Sequence, residues 1–96
     1  MITVRREWMA KSGQLPGAIE NAKAYRDKFG DSSWRITTPN SGIVYTLIVD
    51  EDYESLAEAE KKWAERAATP EFGPWLEEWF GVSVGNSLAF SYFRRH

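Results

Sequence analysis

The sequence predicts an α+β fold in which a four-stranded antiparallel sheet carries two helices on one face. The first observation is that apolar residues switch between a period of two and a period near 3.6, in the order β α β β α β. The second is segment 42–50, GIVYTLIVD, which is apolar on both of its alternating faces. The third is the composition of the 96 residues, which at 43% hydrophobic and 27% charged is typical of a folded globule. The length bounds the chain to one domain, residues 1–96.

Six regular elements follow from these periods. The strands alternate apolar and polar residues, and the helices carry apolar residues three and four positions apart. Gly30 stands in the C-terminal capping position of the first helix, and the acidic run 50–52 is interpreted as the cap and first turn of the second. Segment 74–80 predicts a short extra helical turn that ends at Gly81. In chain order the predicted elements are strand 2–9, helix 16–29, strand 32–38, strand 42–50, helix 50–68 and strand 87–93.

This order is the ferredoxin-like arrangement, in which the sheet order is 4-1-3-2 and the first and third strands are central. In the third strand, Leu47 and Val49 lie on one face, and Val44 and Ile48 lie on the other. Two helices cover one face of a small sheet, so the second apolar face needs a different cover. We therefore expect a homodimer in which two copies meet through their helix-free sheet faces.

Composition narrows the partners and the compartment. A net charge of −2 gives no electrostatic footprint for nucleic acid. The absence of Cys excludes disulfides, thiolate metal sites and cysteine catalysis, and it suits a reducing cytoplasm. The sequence has no apolar stretch of the length that a signal peptide or a membrane span needs. Neighbouring carboxylates such as Glu77 and Glu78 point to different helix faces, so we expect no metal and no cofactor.

Three charged residues interrupt the apolar faces of the predicted elements. Arg6 shares its face of the first strand with Val4 and Trp8, and Arg26 lies inside the apolar arc of the first helix. Glu60 falls near the middle of the apolar arc of the second helix. All three are expected to point toward one interior. The aromatic residues predicted to wall that interior are Trp34, Tyr45, Trp63, Phe90 and Tyr92.

A pocket built in this way would bind a flat or aromatic molecule that bears an acidic group. Arg6 and Arg26 would contact the anion, and Glu60 is the candidate catalytic base. The alternative is a non-catalytic structural or interaction module, in which the charged residues only form a salt bridge or extend past the core to water. A third interpretation is an interaction protein that exposes the aromatic segment 75–80. The five Trp by themselves favour core packing or dimer contact over a ligand cage.

The topology, the two-sided strand 42–50 and the aromatic segment 69–75 together resemble the dimeric α+β barrel superfamily. Within it the chain looks similar to the antibiotic-biosynthesis monooxygenases and the NIPSNAP-like proteins. The resemblance implies two sheets that face each other, with a small aromatic or acidic metabolite bound or oxidised in a pocket between sheet and helices. Trp63 matches the helix tryptophan of haem-degrading relatives, whereas their strand asparagine and histidine ligand have no counterpart here. Ala59 stands where cofactor-free quinone-forming oxygenases carry an asparagine.

Overall fold

One antiparallel sheet and three helices make up the computed structural model, which describes residues 1–40 and 45–96. The sheet order is β2-β3-β1-β4, which is the order 4-1-3-2 counted from the opposite edge. The predicted ferredoxin-like α+β fold is therefore confirmed. The elements are β1 (Ile2–Met9), α1 (Leu15–Lys28), β2 (Arg35–Thr37), β3 (Thr46–Tyr53), α2 (Leu56–Ala67), α3 (Phe72–Val82) and β4 (Ala89–Arg94).

The acidic run 50–52 lies inside β3 and does not cap the second helix, so that prediction was wrong. Three adjacent carboxylates satisfy the capping signal, but the alternation of β3 continues through them to Tyr53. The N-cap is Ser55, whose hydroxyl accepts a hydrogen bond from the Glu58 N–H at 3.2 Å. The strand therefore ends, and the second helix begins, later in the chain than predicted, and this changes which residues of β3 and α2 face each other. The start of the predicted strand 42–50 falls on residues 42–44, which lie outside the described residues.

Helix α1 buries the predicted stripe, with Ala18, Ala22 and Tyr25 in the core. At its end the Gly30 N–H donates to the carbonyl oxygens of Tyr25 and Arg26, both at 3.1 Å. A Cβ at Gly30 would lie 3.0 Å from the Cα of Arg26, so a larger residue there would need the backbone to shift by a few tenths of an ångström.

Helix α3 is a full helix of 11 residues where a short turn was predicted. Its Trp79 is buried and packs on Trp8 of β1, with ring centroids 5.9 Å apart. Helix α3 is joined to α1 by two reciprocal hydrogen bonds. The Trp75 Nε1–H donates to the Asn21 carbonyl oxygen at 2.9 Å, and the Asn21 side-chain amide donates to the Trp75 carbonyl oxygen at 3.4 Å. The helical layer is therefore larger and more tightly connected than the sequence predicted.

The two faces of the sheet differ in chemistry. The face beneath the helices buries Leu47 and Val49 completely. On the other face Ile48 is half-buried, and the nearby carboxylates are paired, as in the Arg5 to Asp50 ion pair at 2.9 Å. Val44 lies outside the described residues. The helix-free face of β3 is thus more polar than predicted, and the pairing of two copies through it stays a prediction.

Within the described ranges, α1, α2 and α3 include no helix that is both long and apolar enough to cross a membrane.

Candidate functional site

An aromatic cavity of about 400 Å³ lies between the helix-bearing face of the sheet and the helices. Among the described residues, Arg6 is the single charged side chain on its wall. Residues of β1, β4 and all three helices contribute to the wall, together with the loop that precedes β4. Every tryptophan of the chain lines this one cavity: Trp8, Trp34, Trp63, Trp75 and Trp79.

Local geometry explains why these rings converge. Trp8 points to the helices because it follows Arg6 by one strand period, and Trp75 and Trp79 lie one helical turn apart on α3. Tyr25 of α1 joins the wall by stacking on Trp34, with ring centroids 4.6 Å apart and an interplanar angle of 25°. Tyr25 also contacts Trp75 at 4.7 Å. Contacts between rings therefore fix the shape of the wall.

Arg6 is held against two of these rings. Its guanidinium carbon lies 4.8 Å from the ring centroid of Trp63 and 5.5 Å from that of Trp34, within cation–π distance. The side chain is 12% exposed, and its Nη1 lies 3.9 Å from Oε1 of Glu51. Arg6 is thus a largely desolvated cation whose nearest carboxylate is beyond hydrogen-bond distance.

Glu51 is 0% exposed and forms the centre of a buried polar cluster. Arg66 donates to both of its oxygens, from Nη1 to Oε1 at 2.8 Å and from Nη2 to Oε2 at 2.9 Å. The Tyr53 hydroxyl also donates to Oε1, and the Trp63 Nε1–H donates to the Tyr53 oxygen at 3.0 Å. This hydrogen-bond chain links the buried carboxylate to a ring on the cavity wall.

The pKa values in this cluster depart from their ordinary values in the direction expected for a buried pair. Burial raises the pKa of Tyr53, and its hydrogen bond to Glu51 raises it further. Burial alone would lower the pKa of Arg66, but the hydrogen bonds and charge of Glu51 outweigh burial, and the pKa lies above its ordinary value. Tyr53 is therefore neutral and Arg66 charged at pH 7.

The cluster carries more positive than negative charge. Two guanidinium groups, those of Arg6 and Arg66, face one carboxylate, that of Glu51. Within residues 1–40 and 45–96, no acceptor pairs with three buried N–H donors of the cavity wall, Arg6 Nη1, Trp8 Nε1 and Trp34 Nε1. A buried donor without a partner costs about 1–3 kcal/mol. The excess positive charge of the cluster can therefore attract an anion.

Of the residues predicted to form a site, Arg6, Trp34, Trp63 and Phe90 line the same cavity. Tyr45 and Tyr92 do not: their exposed fractions are 48% and 53%, and they lie outside the wall. Tyr92 pairs with Val4 on the helix side of the edge strand β4, where the helices leave it uncovered.

The interior positions predicted for Arg26 and Glu60 are wrong. The Arg26 side chain is exposed and pairs with Asp27 at 3.0 Å. Glu60 is exposed on α2, whose buried residues are Ala59 and Arg66. The predicted arc of α2 included Tyr53 as a helical residue, and placing Tyr53 in β3 rotates the buried face of the helix away from Glu60. The three charged residues that were expected to converge do not form a salt bridge with one another in the described structure.

The acid and base that do meet in the interior are Glu51 and Arg66, which sequence reasoning missed. A signal was present: Leu47, Val49, Glu51 and Tyr53 alternate on one face of a strand once the strand is extended. Ala59 and Arg66 are seven residues apart, two helical turns, and therefore share a face of α2. In the described ranges, no group of three or more His, Asp or Glu side chains could hold a metal ion.

No protein-family model matches the chain, and no curated protein does so either. Solved structures match it over its whole length. An uncharacterised NIPSNAP domain protein from Burkholderia xenovorans is 12% identical, with a TM-score of 0.83 over 100% of this chain and 95% of that one. A NIPSNAP family protein from Agrobacterium tumefaciens is 11% identical, with a TM-score of 0.84 over 99% and 85%.

An antibiotic biosynthesis monooxygenase is 9% identical, with a TM-score of 0.73 over 100% of this chain and 99% of that chain. Identities this low establish the fold alone. The resemblance inferred from topology is confirmed at that level: this chain has the ferredoxin-like fold that NIPSNAP proteins and antibiotic biosynthesis monooxygenases share.

Proposed function

We propose that this protein binds a small planar aromatic molecule in the cavity between its sheet and its helices. The observation that carries this proposal is that all five tryptophans line the same cavity of about 400 Å³. Ligand sites commonly have volumes of roughly 300–1,000 Å³ and are mostly apolar with a few polar groups. Rigid rings offer a large contact area at low cost in conformational entropy, which suits the capture of a flat molecule.

The alternative of a purely structural core explains this volume less well. A core would bury its large apolar side chains, whereas Phe80, Leu88 and Phe90 on this wall are 53%, 40% and 45% exposed. The tilted and stacked ring pairs around Tyr25 already pack closely, so the open volume lies beside them rather than between them. A cavity bounded by rings and one cation is consistent with a site that a ligand completes.

Oxidation of the bound molecule is a second candidate function. It is supported by the shared fold with an antibiotic biosynthesis monooxygenase and by the hydrogen-bonded pair of Trp63 and Tyr53 at the cavity wall. Glu51 is an unsuitable base for such a reaction because Arg66 and Tyr53 occupy its oxygens. An oxygen electrode distinguishes this function from binding alone: oxygen uptake with an aromatic diol that exceeds the rate without protein would support it.

We also propose that two copies of the chain pair through the helix-free face of the sheet, and that the protein is cytoplasmic. Ile48 is half-buried on that face, and Met9 and Phe93 are exposed there. The guanidinium of Arg5 lies 5.1 Å from the ring centroid of Phe93, so this part of the face combines apolar and charged groups. Analytical ultracentrifugation tests the pairing: a monomer at micromolar concentration would contradict it.

Thermal unfolding with naphthalene-based probes tests the binding proposal. A probe at ten times its Kd adds about 1.4 kcal/mol to the free energy of unfolding. For a domain of this size, that raises the Tm by roughly 6–11 °C. A failure of every probe to raise the Tm would contradict the proposal.

A variant that narrows the cavity serves as the internal check. Gly85 lies on the cavity wall, and a Cβ there would meet its nearest neighbour, Phe80, at 4.0 Å. Gly85→Phe should therefore fold and lose the response to the probes. Gly73, where an added Cβ would meet nothing within 4 Å, lies outside the wall. Gly73→Phe is the matched control and should keep the response.

A further inference from the structure

We infer that the ligand of this cavity is an aromatic carboxylate, and that Arg6 is the residue that selects its negative charge. This inference rests on the proposed function, because it specifies the chemical class of the molecule bound there. Three observations support it: the charge balance of the interior, the Nη1 of Arg6 that has no hydrogen-bond partner among the described residues, and the composition of the wall.

Two guanidinium groups and one carboxylate lie close together in the interior. Glu51 is the carboxylate that faces Arg6 and Arg66 in the interior. Arg66 donates hydrogen bonds to both oxygens of Glu51, at 2.8 and 2.9 Å. This is the bidentate geometry that makes arginine–carboxylate pairs strong. One positive charge therefore remains without a matched negative charge, and it resides on Arg6.

The second observation is the hydrogen bonding of the Arg6 guanidinium. Oε1 of Glu51 already accepts from Arg66 and from the Tyr53 hydroxyl, so it has little capacity left for Arg6 at 3.9 Å. Within the described ranges Nη1 of Arg6 is buried and makes no hydrogen bond. Arg6 also lies on the cavity wall with 12% of its side chain exposed, so a ligand there could accept hydrogen bonds from the exposed part of the guanidinium.

The surroundings make a carboxylate the fitting acceptor. The Arg6 guanidinium lies over the rings of Trp34 and Trp63, and a desolvated setting of this kind strengthens its interaction with an anion. A planar guanidinium matches a planar carboxylate with two parallel hydrogen bonds. Among the described residues the wall contains no acidic side chain, so no carboxylate there would pair with a cationic ligand or repel an anionic one.

A matched pair of probes tests the inference: 2-naphthoate and its neutral analogue 2-naphthamide have the same rings and differ in charge. Isothermal titration of the full chain at pH 7.5 should show naphthoate binding roughly 10- to 100-fold more tightly, the range expected for one hydrogen-bonded charge pair. Arg6→Met keeps much of the side-chain bulk and should bring the ratio of the two affinities close to one. Arg26→Met, on the exposed surface of α1, should keep the preference.

The outcomes separate the inference from the proposed function. Equal affinities of the unmodified protein for the two probes would overturn the inference and leave aromatic binding intact. A preference for naphthoate that survives in Arg6→Met would overturn the role of Arg6. Binding of neither probe would overturn both proposals. If Arg6→Met does not fold, Arg6→Lys provides the second variant: it retains the charge without the planar donor pair, and an undiminished preference in it would overturn the bidentate contact.

Discussion

Replacing Glu51 with glutamine should destabilise the protein far more than any similar change at an exposed carboxylate. The change keeps the shape of the side chain and removes its charge, so Arg66 loses one of its two charge-assisted hydrogen bonds and faces an amide donor in its place. Arg66 and Arg6 then remain in the interior without a counter-charge. Breaking a buried ion pair by removing one partner costs about 3–5 kcal/mol.

Urea denaturation followed by tryptophan fluorescence measures this loss. With a slope of about 1.5 kcal/mol/M, typical of a small protein, the midpoint should fall by roughly 2–3 M. Glu60→Gln makes the same chemical change on the exposed surface of α2 and should alter the free energy of unfolding by less than about 0.5 kcal/mol. A loss below about 1 kcal/mol in Glu51→Gln would refute the conclusion that Glu51 neutralises the buried Arg66 guanidinium.

A double variant separates the cost of an unpaired charge from the value of the pair itself. Combining Glu51→Leu with Arg66→Met removes both partners and leaves apolar side chains of similar volume. Such replacements are often neutral or stabilising for buried pairs. The double variant should therefore lose less stability than Glu51→Gln, and a larger loss would show that the pair contributes favourably by itself.

Three further predictions concern pH and packing. Hydrogen bonds from Arg35 lower the pKa of Asp52. The contribution of Asp52 to stability is therefore present above about pH 4 and is lost as the pH falls through the lower pKa of the folded state. In urea titrations, Asp52→Asn should weaken the fall in the free energy of unfolding at acid pH. Burial raises the pKa of Tyr53, so its contribution is present below about pH 10 and is lost as the pH rises through the higher folded value; Tyr53→Phe should flatten the alkaline limb. Trp79→Ala empties a buried position against Trp8 and should cost about 3–5 kcal/mol, against about 1 kcal/mol or less for the exposed Phe80→Ala; equal losses by urea unfolding would contradict this assignment.

The topology could be predicted from sequence because the local periods agree with the global fold. Strand β1 alternates as expected, and the stripe of α1 through Ala18, Ala22 and Tyr25 is buried as predicted. These elements are long, and each has a single interpretation. The order of the elements then restricted the sheet to one common arrangement, which the structure has.

The site could be predicted only in part because residues 50–52 fit two local patterns. Adjacent carboxylates are good helix caps, but here Asp50 and Asp52 pair with arginines on one face of β3 while Glu51 points to the interior. Because the predicted helix began too early, its buried face was assigned to Glu60, whereas the structure buries Arg66. Sequence reasoning predicted a pocket between sheet and helices, but it could not predict the size of the pocket or the part of the wall that α3 supplies, since both depend on how α3 packs against α1.

The reciprocal hydrogen bonds between Asn21 and Trp75 have a consequence for how the cavity can widen. They hold α1 and α3 together as one rigid unit, because separating the two helices would leave a buried amide and an indole N–H without hydrogen-bond partners. A bulky guest should therefore gain room at the open side of the cavity, where Phe90 of β4 and Leu88 of the preceding loop are already exposed to solvent. In hydrogen exchange, the amides of α1 and α3 should open together and late, whereas those of the loop before β4 should respond first to the size of the guest.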